Sequence, residues 1–238
     1  MNKQISYITA GDLSFKESLL DLLLAKGYYR MQHLMFTCND TIINEEDGLI
    51  PVFWLRTLVD KVSLNKKAQG IIKKCAGFIV TIQPANIDQE IEALHGLYKN
   101  HVPFSVSASC KSYLHQEILP DPFEGMMVQV HDKDKLIACG YFDKGLQSIA
   151  GLLNIYHPEY YKYSLGKYLM LQKLGYAMKQ QMLYYYTGYI STASKRFDYK
   201  IFPDADAVEV LLPLEQKWIN WNLIDRNFLN NYYLNYMA

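Results

Sequence analysis

The stretch S-L-G-K-Y-L-M-L-Q-K-L (164–174), followed shortly by L-Y-Y-Y-T-G-Y (183–189), decides the fold. In the first, Leu171 and Leu174, continued by Met178 and Met182, share one face at helical spacing, so the chain predicts a helix entered at Ser164. In the second, a strand over 183–190 would turn Tyr184 and Tyr186 to one face and Tyr185 and Tyr189 to the other. Four phenols in seven positions cannot all enter one apolar core. At least one face must offer water, buried polar groups or a ligand to their hydroxyls.

Upstream, M-M-V-Q-V (126–130), the turn H-D-K-D-K and L-I-A-C-G-Y-F-D (136–143) predict an antiparallel hairpin, to which L-Q-S-I-A-G-L-L-N-I-Y (146–156) adds a third strand. Further back the reading is coarser. Ser14 and Glu17 have the spacing of a capping box, Leu19, Leu20, Leu22, Leu23 and Leu24 form an apolar stripe, and Gly27 is a natural helix stop. P-V-F-W-L-R-T-L-V-D (51–60) reads as a strand, a basic helix capped by Ser63 runs to about Lys74, and G-F-I-V-T-I-Q (77–83) reads as another strand. Residues 86–100 have helical spacing. The tail from 214 carries Trp218, Trp221, Phe228, Tyr232, Tyr233 and Tyr236, too much apolar surface for a solvated segment, and is expected to pack on the body. A division into an N-terminal α/β region (1–105) and a second domain (106–238) follows.

With 238 residues, half of them hydrophobic, the chain can bury a large core. Lys plus Arg and Asp plus Glu balance at 24 each, so no global field draws it to nucleic acid or membrane. Cys38, Cys75, Cys110 and Cys139 form no C-x-x-C pair, and the six histidines show no metal spacing. A disulfide framework and a structural metal are not expected. The absence of a secretory signal and of a run of about 20 apolar residues points to a cytoplasmic protein without membrane contact.

Three antiparallel strands, a helix entered through a tight loop and a further strand resemble the core of GNAT-type acyltransferases, in which the strands flanking the helix splay apart. The fold class expected is therefore α/β (α+β), a GNAT-like, mostly antiparallel mixed sheet flanked by helices, with a smaller N-terminal region. Y-H-P-E-Y-Y-K-Y-S-L-G-K-Y (156–168), Y-Y-Y-T-G-Y (184–189), Tyr199-Lys200 and L-I-A-C-G-Y-F-D (136–143) resemble, in order, motifs of the arginyl/leucyl-tRNA–protein transferases. L-L-A-K-G-Y-Y-R (23–30) and the 51–55 strand with its lysine-rich helix are similar to the family's N-terminal elements. Where that family has a cysteine cluster, this chain keeps only Cys38, and one thiol cannot hold a cluster needing about four ligands.

The resemblance implies transfer of arginine or leucine from charged tRNA to the N-terminal α-amine of an acceptor protein beginning with an acidic residue. Aminoacyl-tRNA is then a co-substrate, and no cofactor or metal is needed. Asp143 and Tyr186 are the expected catalytic residues. Ser164, Leu165, Gly166, Lys167 and Tyr168 would bind the donor, because free N–H groups at a helix start attract phosphate or ribose. Tyr156, Tyr184, Tyr185 and Tyr189, together with Tyr199, Lys200 and Arg30, would line the pocket, and Lys66 and Lys67 would meet tRNA phosphates. Two alternatives remain open at this point: a GNAT enzyme using acetyl-CoA or another acyl-CoA, against which Tyr168 stands in place of a second loop glycine, and a non-catalytic binding module of the same fold.

Overall fold

A computed structural model describes residues 6–10, 14–42, 48–114 and 121–237. Its centre is a nine-stranded sheet. In spatial order this runs β6 (Ile79–Pro84), β7 (Gly125–Asp132), β8 (Lys135–Lys144), β9 (Ser148–Tyr156), β10 (Tyr184–Ser191), β5 (Leu49–Leu58), β11 (Val208–Leu212) and β12 (Lys217–Asn220), with β4 (Asp40–Ile42) pairing β5. Every neighbouring pair is antiparallel except β9 and β10. Strands β5 and β6, from the N-terminal side of residue 105, are hydrogen-bonded into this same sheet. A small second sheet places β3 (Leu34–Thr37) between β1 (Ser6–Thr9) and β2 (Tyr29–Met31).

The parallel pair positions the site. β9 and β10 are in register only at Ser148–Ala150 against Tyr184–Tyr186. Beyond them β10 stays with β5 as far as Ser191, while β9 stays with β8 as far as Tyr156. The sheet therefore forks, and the edge of β9 past Gly151 has no strand beside it among the described residues.

The connection between the two strands is α5 (Leu165–Lys179). It is buried on most sides: Leu165, Tyr168, Leu169, Leu171, Leu174 and Ala177 join one core with Phe142, Ile149, Tyr185 and residues of α2 (Lys66–Lys74). A connection between parallel strands must cross a face of the sheet, and a helix this apolar is stable only when covered. The opposite face of β8 and β9 is covered by α3 (Gln89–His101) through Ile91, Leu94 and Tyr98, and by the short α4 (Cys110–Leu114) through Cys110 and Leu114. α1 (Glu17–Ala25) packs Leu20, Leu23 and Leu24 against Val52, Trp54 and Tyr186. α6 (Arg226–Met237) sets Leu229 against Phe53, Leu55 and Ile190.

Local expectations fare unevenly. α1 stops as expected: Gly27 adopts φ +82°, Tyr28 N donates to Leu23 O at 3.0 Å and Gly27 N to Leu24 O at 3.0 Å, the paired bonds of a Schellman turn. The Ser14–Glu17 capping box does not form, because Lys16 occupies the cap position and makes no side-chain cap bond. Asn65, not Ser63, caps α2, accepting from Ala68 N at 2.9 Å. In the tail, Trp218 donates to Ala25 O at 2.9 Å, and Trp221, Tyr232 and Tyr233 pack on the α6 core, whereas Phe228 is exposed. The side chain of Tyr236 lies outside the described residues.

A forked cleft with two connected cavities

Strand β10 carries a bulge. The register against β5 shifts between Tyr186 and Gly188, and Gly188 has φ +102°, a conformation that favours glycine. Tyr186 opposes Arg56 and Tyr189 opposes Trp54. Directly opposed residues share a face, so the extra residue at Thr187 turns Tyr189 to the same face as Tyr184 and Tyr186. The expectation that Tyr185 and Tyr189 share a face is corrected by this one residue. Tyr185 stays on the α5 side.

At the fork lies a cavity of about 280 Å³. Gly151, Leu152 and Asn154 wall it from β9, Tyr185, Thr187, Gly188 and Tyr189 from β10, and Met170 and Lys173 from α5. On the far side, the Tyr29 ring stacks on Trp54 at 4.6 Å and the Tyr29 hydroxyl accepts from Gly188 N at 2.8 Å, pinning the bulge. Three cations reach this cavity: Arg30, Lys173 and Lys200.

Their environments differ. Arg30 Nη1 donates to Asp143 at 2.8 Å, Nη2 to Leu114 O at 2.7 Å, and the guanidinium lies 4.2 Å over the Phe123 ring. Asp143 is fully buried beneath Arg30 and does not line either cavity. Burial pushes its carboxyl up to about 6, against the pull of Arg30. Lys173 is fully buried, with Nζ donating to Tyr141 O at 2.7 Å and Asn154 Oδ1 at 2.8 Å, and burial lowers it to about 7. Lys200 is likewise lowered to about 7 by burial.

A second cavity, about 670 Å³, opens at the start of α5. Its volume falls within the roughly 300–1,000 Å³ of small-molecule sites. Ser164, Leu165, Gly166 and Lys167 form one wall, Tyr98, Phe104, Tyr156 and Tyr161 an aromatic one, and Arg196 and His101 also face it. Tyr113, Leu152, Asn154 and Tyr199 border both cavities, which are therefore neighbours along one cleft.

Ser164 is not an ordinary cap: it adopts a left-handed conformation (φ 55°) and its side chain makes no cap bond. Its carbonyl accepts from Lys167 N and Tyr168 N at 3.0 Å, leaving the amides of Leu165 and Gly166 without a helical acceptor. The first turn of α5 contains no acid and carries Lys167, whose ammonium lies beside Lys67 and is lowered by burial and by that neighbour. A cation at this end opposes the helix dipole. The helix start, Lys167 and Arg196 give this cavity a cationic wall, and Lys67 stands beside Lys167 outside it. Gly166 faces the Tyr156 ring, where a Cβ would stand 3.4 Å away.

Of the residues expected to bind donor, 164–167 border the larger cavity, while Tyr168 is buried in the α5 core. Of the expected pocket residues, Tyr156 lines the larger cavity, Tyr185, Tyr189, Lys200 and Arg30 line the fork, and Tyr199 lines both. Tyr184 and Tyr186 do not reach the cleft. They form an outer aromatic cluster with Trp218, in which Arg56 lies 4.2 Å from the Tyr184 ring and 4.4 Å from Trp218. Lys66 sits at the start of α2, next to Lys67. Sequence reading missed Lys173, Asn154, Trp54, Tyr113 and Arg196. For Lys173 a signal existed: it follows Leu165 and Leu169 at intervals of four, inside the buried stripe.

Among the described residues no group of His, Cys, Asp and Glu is placed to hold a metal, and the four cysteines are free and buried. No described helix is long and apolar enough to cross a membrane.

Residues 90–203 match the family described as arginine-tRNA-protein transferase, C terminus, and so include the S-L-G-K-Y and Y-Y-Y-T-G-Y motifs. The chain is similar to an aspartate/glutamate leucyltransferase of Campylobacter jejuni (strain 81116), 24% identical over 153 residues, or 61% of this chain and 63% of that protein. It is also similar to one of Helicobacter hepaticus, 22% identical over 182 residues, or 70% of this chain and 69% of that one. The match thus spans less than two thirds of the Campylobacter relative. Among solved structures, FemX aligns with a TM-score of 0.45 at 9% identity, covering 74% of this chain and 61% of that one. The C-terminal domain of a putative lysylphosphatidylglycerol synthetase from Agrobacterium fabrum aligns at 0.46 and 8%, covering 65% and 56%.

Proposed function

We propose that this protein is an aminoacyl-tRNA–protein transferase that moves leucine from charged tRNA onto the α-amine of an acceptor beginning with aspartate or glutamate. The observation that carries this reading is the pairing of an electropositive, aromatic cavity at the start of α5 with a smaller cavity in the fork beside it. In this reading the terminal adenosine of the tRNA occupies the larger cavity. Rings such as Tyr156 offer faces for stacking, and the amides of Leu165 and Gly166 with Lys167 offer donors to phosphate or ribose. The aminoacyl ester then points into the fork. The open edge of β9 beyond Gly151 supplies fixed backbone donors for the oxygen that develops charge when the ester is attacked. Lys66 and Lys67, outside the mouth, meet phosphates further along the acceptor stem.

Leucine rather than arginine is favoured by the walls themselves. Among the described residues neither cavity is lined by a single aspartate or glutamate. A transferred guanidinium would find Arg30 and two amine-bearing lysines there and no carboxylate to pair with, so burying its charge would be costly. The same walls suit an acidic acceptor, and the relatives' printed name, aspartate/glutamate leucyltransferase, agrees with both choices. Since the ester is already activated, positioning and proton transfer are what remain for the protein to supply. Asp143 acts here as the support of Arg30, and Tyr186 as part of the outer cluster.

The test is transfer of labelled leucine or arginine from the charged tRNAs to peptides beginning with Asp, Glu, Asn or Ala. Leucine on Asp and Glu peptides is the expected product. Absence of transfer in every pairing, together with stabilisation of the protein by acetyl-CoA and not by tRNA, would defeat it.

A further inference from the structure

Lys200 differs from the other cations of the fork. Arg30 is compensated by Asp143 at 2.8 Å and Asp121 at 3.5 Å, and the ammonium of Lys173 is held by Tyr141 O and Asn154 Oδ1. The ammonium of Lys200 has neither a hydrogen-bond acceptor nor a carboxylate among the described residues. It lies 4.5 Å from the Tyr189 ring centre and 4.9 Å from that of Phe197. It also lies against the bulge, since a Cβ on Gly188 would stand 2.7 Å from Nζ. The bulge is pinned from behind by Tyr29, so the nitrogen is held at the point where β10 leaves β9.

We propose that Lys200 takes the proton from the α-ammonium of the acceptor, and that the new ammonium is then held by the acceptor's own side-chain carboxylate. This rests on the reading of the cleft as a transferase site and names the residue that makes it selective. The acceptor nitrogen gives one proton to Lys200 Nζ, and its freed lone pair forms the C–N bond to the ester carbonyl carbon. As the C–O3′ bond breaks, the ribose oxygen leaves with a second proton from that nitrogen. The products are an amide, a free 3′-hydroxyl and a Lys200 ammonium that later returns its proton to water.

Two physical reasons support the pairing. Its setting, half-buried and with no acceptor for the ammonium among the described residues, lowers the amine to about 7, so it can accept a proton near neutral pH. The charge created by acceptance is costly in the same place unless an anion meets it. The groups that face Lys200 across the cavity are Tyr29, Tyr113, Tyr185 and Tyr189, which remain neutral because burial raises them, the cation Arg30, and Lys173, which burial also lowers to about 7 but whose Nζ is already held by Tyr141 O and Asn154 Oδ1. None of them, nor its chain neighbour Tyr199, supplies a negative charge. A substrate carboxylate does. An acceptor with Asn or Gln would bind without stabilising the protonated lysine, so acid selectivity resides in kcat.

Transfer kinetics of the unaltered protein, Lys200→Arg and Lys200→Ala on peptides beginning with Asp and Asn test this. The Arg variant, which stays protonated, is expected to lose about 100-fold or more in kcat on the Asp peptide, with KM for charged tRNA unchanged. The Ala variant is expected to lose as much and to treat Asp and Asn peptides nearly alike. A second readout is pH-dependent acetylation of Lys200, followed by mass spectrometry, in the unaltered protein. Its midpoint should lie near 7 and rise with the Asp peptide but not with the Asn peptide. An ordinary lysine midpoint, or a Lys200→Arg variant within about threefold of normal kcat, overturns the proposal while leaving the transferase reading intact. No transfer by the unaltered protein from any charged tRNA overturns both.

Discussion

Replacing Asp143 by Asn tests how the floor of the cleft is held. Asp143 is fully buried, its Oδ1 accepts from Arg30 at 2.8 Å, and its Oδ2 has no hydrogen-bond partner among the described residues. Two effects compete: loss of hydration raises the carboxyl, and the guanidinium lowers it. Burial wins, and the group sits at about 6 against an ordinary 3.8. The folded chain therefore holds this proton more tightly than the unfolded one. The stability it confers is fully present below about pH 4 and is lost as pH rises through 6, in all about 3 kcal/mol, of which about 1 kcal/mol falls between pH 5 and 7.5. Asn cannot titrate. The stability of Asp143→Asn relative to the unaltered protein should therefore improve by about 1 kcal/mol between pH 5 and 7.5, a shift of roughly 2–4 °C in the difference of melting temperatures. Urea unfolding of both proteins at the two pH values measures it. Parallel stabilities would show that Asp143 does not titrate in this window. Stabilities that stay parallel from pH 5 to 7.5 and diverge only below about pH 4, with the unaltered protein losing ground, would show that Arg30 outweighs burial.

Other consequences follow from single contacts. Gly188→Ala must hold φ +102° with a Cβ 2.7 Å from Lys200 Nζ, so it should cost about 1–3 kcal/mol by thermal unfolding and displace Lys200, lowering transfer further than stability. Asn65→Ala should cost about 1 kcal/mol through the lost cap of α2, whereas Ser164→Ala, which removes no cap bond, should stay within about 0.5 kcal/mol while weakening tRNA binding. Changing Lys66 and Lys67 together to Ala should reduce the slope of log affinity for tRNA against log salt by about 1–2, measured by filter binding at several salt concentrations.

The order of elements from β7 to β10 was legible because each is long and strongly patterned: a hairpin with a polar turn, a third apolar run, a helix with a continuous stripe, an aromatic strand. The N-terminal strands were not, since β2, β3 and β4 are only three or four residues long and alternate too briefly to register. Serine caps failed for a related reason. Ser14 and Ser63 have the right chemistry, but the helices begin later in the chain, at Glu17 and Lys66, with Lys16 and Asn65 at the cap positions. The faces of the tyrosine strand were inverted past Thr187 by one inserted residue, which alternation cannot reveal, although Gly188 was the place to suspect it. Burial of Tyr186 in an outer cluster follows from Arg56 and Trp218, brought in by β5 and β12 from opposite ends of the chain. Arg30 and Asp143 are 113 positions apart, so their pairing has no local trace. The start of α5 at Leu165 was legible because Ser164 and the apolar stripe that follows it mark a helix beginning there.

In the proposed function one cleft holds a nucleotide at the start of α5 and an activated ester in the fork beside it. The most direct measurement is a structure of the protein with a non-hydrolysable adenosine carrying leucine on a 3′-amide. The adenine is predicted against Tyr156 and Gly166, with the leucyl carbonyl between β9 and β10 within reach of Lys200. An analogue bound elsewhere, or one that leaves both cavities empty at saturating concentration, would contradict the account.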